Sequence, residues 1–560
     1  MSKKLLARSE ITGERYRRSA DCGEGTTAAS PSCGSWELLA DATRCHTSGT
    51  PGHRYSHRMD IVVNILATVV VVLVIQQVWK LVKAQKQLAS RLAHIPGPKG
   101  WPLLGNTFEF GKGNALDILH NSIRLWKTYG STYLVWLGTR PFIFLIDADE
   151  VETILSSTTH IKKSISYKFV EPWLGQGLLT ADGNHWRKHR KIITPTFHFK
   201  ILEEFINVFN SNGDVMIDLW KKKLNGPAFD IYSYVNLLTL DIINETAMGV
   251  SFNAQINSDS EYVHAVRSAS DITLQRTFRP WLFPDFLFNL SSLGKEWRKH
   301  LHVMKTTTQT IIQNKKLQMS TEQGKSGNPN NNDNDVGQRK RMAFLDLLLQ
   351  SPDKLSDKEI EDEVDTFMFA GHDTTASCTS FALWALAKHA DVQEKAYSEI
   401  RELFGDSDRP ATFRDLQEMK YLERVIKETL RLYSTVPLYA RELDQELKIR
   451  NKLVPVGTTL VISTFHMNRN PEHFPNPETF DPDRFLPERM QGRHPYCFVP
   501  FSAGLRNCVG QKFALLEMKC TLSKVLRNFK LSTPQDELVL SPEIVMKSAN
   551  NIMVCVEPRK

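Results

Sequence analysis

The chain has 560 residues, of which 41% are hydrophobic and 24% are charged, and its formal net charge is +8. This composition is ordinary for a globular protein, and a chain of this length buries most of its apolar surface without disulfide staples. The basic residues are spread along the sequence, so they indicate either a solvated surface or a basic face for an acidic partner or an anionic membrane. No zinc-finger, RNA-binding or helix-turn-helix signature occurs, which argues against nucleic-acid binding.

The eight cysteines are sparse and irregularly spaced. No Cys-x-x-Cys pair occurs, so a structural zinc site built on thiolates is not expected. The spacing shows no disulfide framework, which fits a body that faces the cytosol. The cysteines are Cys22, Cys33, Cys45, Cys378, Cys497, Cys508, Cys520 and Cys555.

The N-terminal segment differs in composition from the rest of the chain. Residues 1–58 are rich in Ser, Thr, Gly and Arg and show no hydrophobic period, so they are predicted to be a disordered extension. Acidic side chains such as Glu10 and Asp21 argue against a transit peptide. Met59 stands directly before the first apolar run, and a start of translation at this methionine is an open alternative.

The apolar run Ile61–Val78 is long enough to cross a membrane. At about 1.5 Å per helical residue it just spans a hydrocarbon core of roughly 30 Å. Residues 59–80 are therefore predicted to be a single transmembrane anchor, with a buried core helix as the alternative. Basic residues after the run mark that side as cytosolic, although two arginines before it weaken the assignment. The basic residues that follow are Lys80, Lys83, Lys86 and Arg91.

Residues 81–104 are predicted to be a basic and Pro-rich linker, stiffened by Pro96-Gly97-Pro98. Residues 105–560 are predicted to form one body that is mainly α-helical with a small β-rich lobe. Helical patterns dominate from about residue 147 to residue 435, and short β-runs follow them.

Within this body, four segments have clear expectations. Thr132–Trp136 and Pro141–Ile146 are β-rich runs that predict a hairpin. The Asn-rich stretch 323–341 is predicted to be a flexible loop. A long helix is predicted from Ser356 to about Lys388, and Leu453–Ser463 is predicted to be one β-run.

The segment Phe501–Gly510, FSAGLRNCVG, carries the strongest chemical signal. Cys508 is predicted to lie near the start of a helix, where unpaired N–H groups and the positive end of the helix dipole favour the thiolate. Gly504 and Gly510 allow close approach of backbone or cofactor, and Arg506 adds a fixed positive charge. A lone cysteine suits a cofactor that brings its other metal ligands, as haem does, whereas a buried structural cysteine is the alternative.

This segment resembles the haem-binding loop of the cytochromes P450, Phe-x-x-Gly-x-Arg-x-Cys-x-Gly. It matches every specified position, and the resemblance covers nearly the whole chain from Pro96 onward. The resemblance implies that Cys508 is the proximal ligand to the haem iron and that Arg506 faces a haem propionate. It also implies the mainly helical cytochrome P450 fold, with its small β-rich lobe, behind one N-terminal transmembrane helix. The matching positions are Phe501, Gly504, Arg506, Cys508 and Gly510.

Glu428 and Arg431 lie three residues apart in a predicted helix, Asp415–Tyr433, and share one of its faces. From the residues alone a solvated surface pair is expected. The resemblance implies instead the Glu-x-x-Arg pair of the family, which joins Arg484 in a structural triad that locks the Cys508 loop.

The segment Ala370–Thr375, AGHDTT, interrupts the predicted long helix with a glycine. Glycine inside a helix costs roughly 1 kcal/mol relative to alanine, so Gly371 makes room either for a flat ligand or for a neighbouring helix. Thr374 is able to bond back to the carbonyl of Ala370 and open a notch, beside which Asp373 and Thr374 are suited to relay protons. The segment is similar to the oxygen-binding motif of the family, which favours the ligand and the relay.

Trp186 and Arg190 are four residues apart and hence neighbours on a helix. An indole N–H and a guanidinium both donate to carboxylates, although a basic surface helix is the alternative. The pair resembles the Trp-x-x-x-Arg motif of the family, whose members bond a haem propionate. Arg441 looks like a further propionate arginine.

The segment Glu363–Thr375, EVDTFMFAGHDTT, is close to the signature of family 4 of the cytochromes P450. That family includes fatty-acid ω-hydroxylases and many arthropod enzymes, and Pro195–Phe199 and His466–Pro471 fit it as well. Many members carry Glu where this chain has Ala370, and that Glu forms an ester with a haem methyl. Because alanine has no carboxylate, the haem is predicted to be bound non-covalently, and strict ω-selectivity is left open.

The resemblance implies a single-pass protein of the endoplasmic reticulum membrane that inserts one oxygen atom of O₂ into an apolar substrate (a fatty acid, hydrocarbon, terpenoid hormone or xenobiotic). The cofactor implied is haem b, iron protoporphyrin IX. The chain has no Gly-rich dinucleotide fingerprint, so electrons are expected from NADPH through a separate NADPH–cytochrome P450 reductase, with cytochrome b5 as a further partner.

Two alternatives are open. One is a haem-thiolate hydroperoxide isomerase or dehydratase, which needs no reductase, and the intact Asp373–Thr374 pair argues against it. The other is an inactive, membrane-tethered lipid-binding protein, and Cys508 argues against that.

Overall fold

The computed structural model describes residues 52–257, 260–326, 343–351, 355–449 and 452–559. By its internal contacts the chain divides into two compact units, Met1–Val72 and Leu73–Lys560. Most of the predicted extension and most of the predicted loop at 323–341 lie outside the described residues.

The N-terminal apolar run lies in helix α1 (Gly52–Leu92). Its segment Met59–Leu92 contains a window of mean hydropathy 2.5 that is 0% buried, so it is long and apolar enough to cross a membrane. The helix begins inside the predicted extension and continues through the predicted anchor, 59–80, into the predicted linker, 81–104. The bounds of the membrane-embedded part stay a prediction. Lys, Gln, Leu and Ala after the apolar run favour the helix, and Pro96 prevents its continuation.

The rest of the chain is mainly helical, as predicted, and one long helix runs through its core. The helices before it are α2 (Ala115–Tyr129), α3 (Ala148–Leu155), α4 (Glu171–Leu174), α5 (Gly183–Ile193), α6 (Phe199–Lys221), α7 (Ile231–Ile243), α8 (Glu261–Thr277), α9 (Asp285–Leu290), α10 (Ser292–Ser326) and α11 (Phe344–Leu349). From the long helix onward they are α12 (Asp357–Lys388), α13 (Ala390–Phe404), α14 (Phe413–Glu418), α15 (Lys420–Tyr433), α16 (Thr464–Met467), α17 (Pro487–Met490) and α18 (Gln511–Asn528).

The strands form small sheets at the edges of the helical body. They are β1 (Thr132–Leu137), β2 (Arg140–Leu145), β3 (Phe229–Asp230), β4 (Leu438–Glu442), β5 (Leu447–Ile449), β6 (Lys452–Val454), β7 (Thr459–Ser463), β8 (Phe529–Ser532), β9 (Leu540–Pro542), β10 (Met546–Ser548) and β11 (Met553–Pro558). The largest sheet has the order β1-β2-β7-β4, and the others pair β3-β11-β8, β5-β6 and β9-β10. Strands β2 and β7 are parallel.

The predicted hairpin is confirmed by β1 and β2, which are antiparallel with Thr132 opposite Leu145 and Leu137 opposite Arg140. The predicted single β-run Leu453–Ser463 is wrong, because a turn separates β6 from β7. Gly457 in that turn has φ +81°, a conformation that suits glycine and cannot continue a strand.

The predicted helix Asp415–Tyr433 is also wrong in its bounds, because the chain forms two helices, α14 and α15. Met419 between them has φ −70° and ψ 77°, outside the helical region. Thr412 caps α14 and Asp415 reaches back to it, which fixes the short helix in its own direction.

Helix α12 confirms the predicted helix from Ser356 to Lys388. The Ser356 side chain accepts a hydrogen bond from the Glu359 N–H, and the Glu359 side chain reaches back to the capping residue. Such a capping box satisfies N–H groups that a helix start leaves unpaired. The helix then packs against α7, α15 and α18. It is buried on nearly all sides, so it sets the positions of the elements around it.

The predicted triad of Glu428, Arg431 and Arg484 is confirmed. Arg431 donates from Nε and Nη2 to the two carboxylate oxygens of Glu428, at 2.7 Å each. Both side chains are fully buried. Arg484 Nε lies 3.4 Å from Glu428 Oε1. Removing one member of a buried charge cluster leaves the charge of its partner uncompensated, which destabilises the fold.

Replacing Arg431 by alanine (R431A) is expected to destabilise the protein by about 3–5 kcal/mol, because Glu428 is then buried without its bidentate partner. Urea unfolding followed by tryptophan fluorescence measures this. The matched control is R124A, which breaks an Arg–Glu pair whose side chains are 46% and 36% exposed and should cost less than about 1 kcal/mol. Equal losses in the two variants would contradict the role given to burial.

Candidate functional site

The loop that carries Cys508 is fixed by its own backbone. The Cys508 N–H donates to the Phe501 carbonyl at 2.9 Å, and the Asn507 N–H donates to the Gly504 carbonyl at 3.1 Å. Helix α18 begins three residues after the cysteine, so the predicted place of Cys508 near a helix start is confirmed. Gly504 has φ +65°, and a β-carbon there would collide with the Leu155 carbonyl. Only glycine therefore fits this turn.

Arg190 ties helix α5 to the cysteine loop. Its Nη1 donates to the Asn507 carbonyl at 2.8 Å and its Nη2 to the Asn507 side chain at 2.7 Å. The sequence suggested Arg190 as a propionate ligand, but in the described structure its guanidinium holds the residue next to the cysteine. Asn507 was not singled out from the sequence.

Cys508 is exposed. Desolvation by the surrounding protein raises the pKa of its thiol, while the Gly510 N–H and the Arg190 charge oppose this effect. The sequence predicted that the local environment favours the thiolate, and for the protein alone this is wrong, because desolvation outweighs these two groups. A metal ion coordinated by Cys508 would deprotonate the thiol.

Arg506 lies on the Trp186 ring, with its Cζ 4.3 Å from the ring centroid. Its Nη2 is 2.6 Å from the Asp182 carboxylate and its Nε donates to the Ile161 carbonyl at 3.2 Å. Its Nη1 is buried and has no hydrogen-bond partner among the described residues. Because a buried unpaired donor is costly, this atom fits an anionic oxygen that the protein itself does not supply.

Three cations crowd together at this point. Burial lowers the pKa of Arg506 to about 10 and also lowers that of Arg441, and Arg441 adds to the effect on Arg506. Burial and the charges of the two arginines lower the pKa of Lys163 well below its usual value. Asp182 is the anion that faces them. The set has more positive than negative charge, which fits the carboxylates of a haem.

The hydrogen bond on which the predicted notch in α12 depends is present. Thr374 Oγ1 donates to the Ala370 carbonyl at 2.8 Å. Over the stretch 362–387, Ala370, Gly371 and Thr374 are half-buried and every other residue is buried. These three positions share one face of the helix, and this face is the part of the stretch that other residues leave partly uncovered.

A neighbouring helix explains why residue 371 is a glycine. A β-carbon on Gly371 would lie 2.5 Å from Ile243 Cδ1 of helix α7. The sequence left open whether this glycine serves a ligand or a neighbouring helix, and the structure supports the helix contact. A β-carbon on Gly510, by contrast, would meet only Phe197 at 3.8 Å and the Cys508 Sγ at 3.9 Å, both ordinary contacts.

The Asp373 side chain is buried away from the notch. Its Oδ1 accepts hydrogen bonds from Lys547 and, at 3.1 Å, from the Tyr232 hydroxyl. Burial raises the pKa of Asp373 but the Lys547 charge outweighs it, so the pKa lies below the ordinary value. In the described geometry the Asp373 carboxylate therefore faces Lys547 and Tyr232, and the predicted relay of protons by Asp373 and Thr374 beside the notch stays a prediction. Asp373 Oδ2 has no partner among the described residues.

Sequence reasoning missed Lys163, Asn507, Tyr232 and Lys547. Each lies near a motif residue from a distant part of the chain. For example, Asn507 accepts a hydrogen bond from Arg190, and Lys547 donates one to Asp373. Only Asn507 lies within a recognised motif, at one of its unspecified positions.

The chain matches the family model for cytochrome P450 over residues 95–556. It is 42% identical over 474 residues to cytochrome P450 4V2 of Homo sapiens, which covers 82% of this chain and 89% of the relative. It is 40% identical over 514 residues to cytochrome P450 4c3 of Drosophila melanogaster, with coverages of 89% and 95%. It is 39% identical over 507 residues to cytochrome P450 4c21 of Blattella germanica, with coverages of 90% and 100%.

Replacing Gly504 by alanine (G504A) is expected to disrupt the cysteine loop, because the positive φ alone costs about 1–3 kcal/mol and the β-carbon also meets the Leu155 carbonyl. The measurement is the haem-to-protein ratio after purification, together with urea unfolding. The matched control is G510A, the other loop glycine, whose β-carbon makes ordinary contacts and should leave both quantities nearly unchanged. A G504A protein as stable and as fully loaded as G510A would refute this account of the loop.

Proposed function

Because this chain belongs to the cytochrome P450 family and is a monooxygenase of that family, we propose that it oxidises an apolar small molecule at the endoplasmic reticulum membrane. The observation that carries this proposal is the Cys508 loop, which hydrogen bonds hold in place. Beside it lie Arg441, Arg506 and Lys163, whose positive charges outnumber the negative charge of Asp182. The half-buried face of α12 adds one hydroxyl, from Thr374, next to the apolar Ala370. Such a face offers little to a polar substrate and suits a hydrocarbon chain or ring.

The prosthetic group is haem b, held without a covalent ester. Bound through the Cys508 thiolate, it supplies the one-electron and O₂ chemistry of the reaction. We propose that Arg441, Arg506 and Lys163 hold its propionates, together with the Trp186 indole. The role proposed for Arg190 is to hold Asn507 and thereby the cysteine. Ala370 has no carboxylate with which to form an ester.

We propose that Thr374 and Asp373 manage the protons. The bond from Thr374 Oγ1 to the Ala370 carbonyl orients the hydroxyl, so its lone pairs face the notch and are able to accept a hydrogen bond from a water molecule. Asp373 keeps Oδ1 on Lys547 and Tyr232, while its Oδ2 has no partner among the described residues and is able to accept a hydrogen bond from water as well. Water molecules held by these two side chains would then conduct protons from solvent to the notch.

The electron donor proposed is a separate NADPH–cytochrome P450 reductase, with cytochrome b5 as a further partner. Helix α5 meets the cysteine loop, which leads into α18, through the Arg190–Asn507 bonds. Exposed cations lie on α5 and on the first turn of α18: Arg187, Lys191 and Lys512. An acidic flavoprotein surface complements them, and such contacts raise the association rate.

We place the protein as a single-pass membrane protein with its catalytic body on the cytosolic side. Helix α1 is long and apolar enough to cross a bilayer. The lysines that follow the apolar run support the cytosolic orientation.

A hydroperoxide isomerase or dehydratase is the second candidate function. The described structure disfavours it, because Thr374 has the orientation that a proton relay needs and an isomerisation of a hydroperoxide consumes no protons. An inactive lipid-binding protein is disfavoured because Cys508 has a loop, an anchoring arginine and a cation cluster around it.

Turnover by the full chain, reconstituted in vesicles with reductase, tests this function. Fatty acids, hydrocarbons, terpenoids and xenobiotics are supplied in parallel with isotopically labelled O₂. We expect one labelled oxygen atom in the product and a strict need for NADPH. In T374A, we expect a several-fold loss of product per NADPH consumed and a rise in hydrogen peroxide, whereas T374S should keep most of the coupling because it keeps the hydroxyl.

Two results would contradict the proposal. Product formed from a hydroperoxide without NADPH and reductase would favour the isomerase, and no product from any class by a fully haem-loaded protein would favour the inactive binder. Equal coupling in T374A and the unchanged protein would remove Thr374 from the relay.

A further inference from the structure

A second cluster of possible metal ligands lies outside the haem site. Helix α5 places His185 and His189 one turn apart, and both face Glu359 in the first turn of α12. One ligand atom of each residue lies within 4.8 Å of the others. None of the three is among the residues assigned above to the cysteine, the propionates or the proton relay.

His189 has the support that metal-binding histidines need. Its Nδ1 is 2.6 Å from Glu363 Oε1, and both side chains are fully buried. A carboxylate that accepts a hydrogen bond from Nδ1–H fixes the orientation of the ring. The lone pair on Nε2 is then available to a metal ion, as in the carboxylate–histidine–zinc arrangement of metalloproteins. Glu363 also accepts from the Leu178 N–H at 3.1 Å, so it is itself held in place.

The distance between His189 and Glu359 already matches a metal site. His189 Nε2 lies 3.3 Å from Glu359 Oε1. Zinc binds nitrogen and oxygen at about 2.0–2.2 Å, so two ligand atoms of a tetrahedral site lie roughly 3.4 Å apart. The other oxygen of Glu359 accepts from the N–H and the hydroxyl of Ser356, at 2.8 and 2.9 Å. Glu359 Oε1 is therefore the oxygen available to a metal.

His185 completes the ligand set. Its Nε2 is 3.1 Å from the Gln176 carbonyl, which orients the ring, and donation to that carbonyl leaves a lone pair on Nδ1. The residue is half-buried, so its side chain has room for the small adjustment from 4.8 Å that coordination requires. Its centroid is 4.1 Å from that of His189.

The charges around the cluster favour a cation. Glu359 and Glu363 bring two negative charges to the two histidines, and a divalent ion balances both. Lys188 Nζ, 3.6 Å from Glu359 Oε1, is the cation that competes. Its side chain is 41% exposed, so it is free to turn into water when a metal binds. Without a metal, a protonated His189 between the two carboxylates is the competing arrangement.

We propose that His185, His189 and Glu359 bind a zinc ion, with water as the fourth ligand and Glu363 supporting His189 from behind. Two imidazoles and one carboxylate form an open tetrahedral set that zinc accepts. The ion joins helix α5, which carries Trp186 and Arg190, to the start of α12. It thereby stiffens the contact between the helix that holds the cysteine loop and the helix that carries the notch, and it takes no part in the redox step.

The test uses the full chain, loaded with haem, free of an oligohistidine tag and treated with a chelator before dialysis. Zinc chloride is titrated by isothermal calorimetry, and X-ray absorption at the zinc edge reports the ligands. We expect one zinc ion per chain, bound by nitrogen and oxygen only, and a higher melting temperature with zinc. E359Q and H185A should each weaken binding at least tenfold, and E359Q keeps a capping side chain for Ser356.

The matched control is E361Q, on the same helix, where Glu361 pairs with Lys305 at 2.9 Å and lies outside the cluster. It should bind zinc as the unchanged protein does. Sulfur among the zinc ligands, or equal binding by the unchanged protein and E359Q, would overturn the proposal. Haem content and NADPH-dependent turnover are measured on the same samples, so failure of the zinc site is distinguishable from failure of the monooxygenase.

Discussion

The buried charge cluster of Glu428 and Arg431 is the constraint on which the rest of the site depends. Arg431 also donates from Nη1 to the Asn468 and Pro477 carbonyls, at 2.9 and 2.7 Å. The segment between those residues and the cysteine loop has little regular pairing, so these side-chain donors satisfy backbone groups that a sheet or helix would otherwise satisfy. The cluster therefore fixes an irregular segment to α15 and lets the chain arrive at Cys508 in one conformation.

The site holds positive charges close together where a negatively charged ligand would compensate them. Arg441 lowers the pKa of Arg506, both arginines lower the pKa of Lys163, and Arg506 Nη1 has no partner among the described residues. Desolvation by the surrounding protein also raises the pKa of Cys508. Both features oppose stability in the protein alone, and both are relieved by a group that carries carboxylates and a metal ion. Donors positioned in advance bind such a group with little reorganisation.

Much of the fold followed from local signals in the sequence. The Ser356–Glu359 capping box, the β1–β2 hairpin and the spacing of Glu428 and Arg431 are readable within a few residues. The ends of helices and strands were not readable in this way. The break at Met419 and the turn at Gly457 depend on how neighbouring elements pack. Helix-forming residues after the apolar run extend α1 to Leu92, about three turns of helix beyond the end of the predicted anchor.

The contacts of the site could not be predicted from patterns, because they join distant parts of the chain. Asp373 and Lys547 are 174 residues apart, and Arg190 and Asn507 are 317 apart. The motif identified Asp373 but not the direction of its carboxylate, which α7 and β10 decide by placing Tyr232 and Lys547 beside it. The need for glycine at position 371 also depends on a distant residue, because a β-carbon there would collide with Ile243 on another helix.

We propose Cys508 as the thiolate ligand of the haem. The absorption spectrum of the reduced, CO-bound protein tests this, compared between the unchanged chain, C508A and the buried-cysteine control C520A. We expect a thiolate-type Soret band in the unchanged chain and in C520A, and its loss in C508A. A thiolate-type band that survives in C508A, or that disappears only in C520A, would contradict the assignment of Cys508.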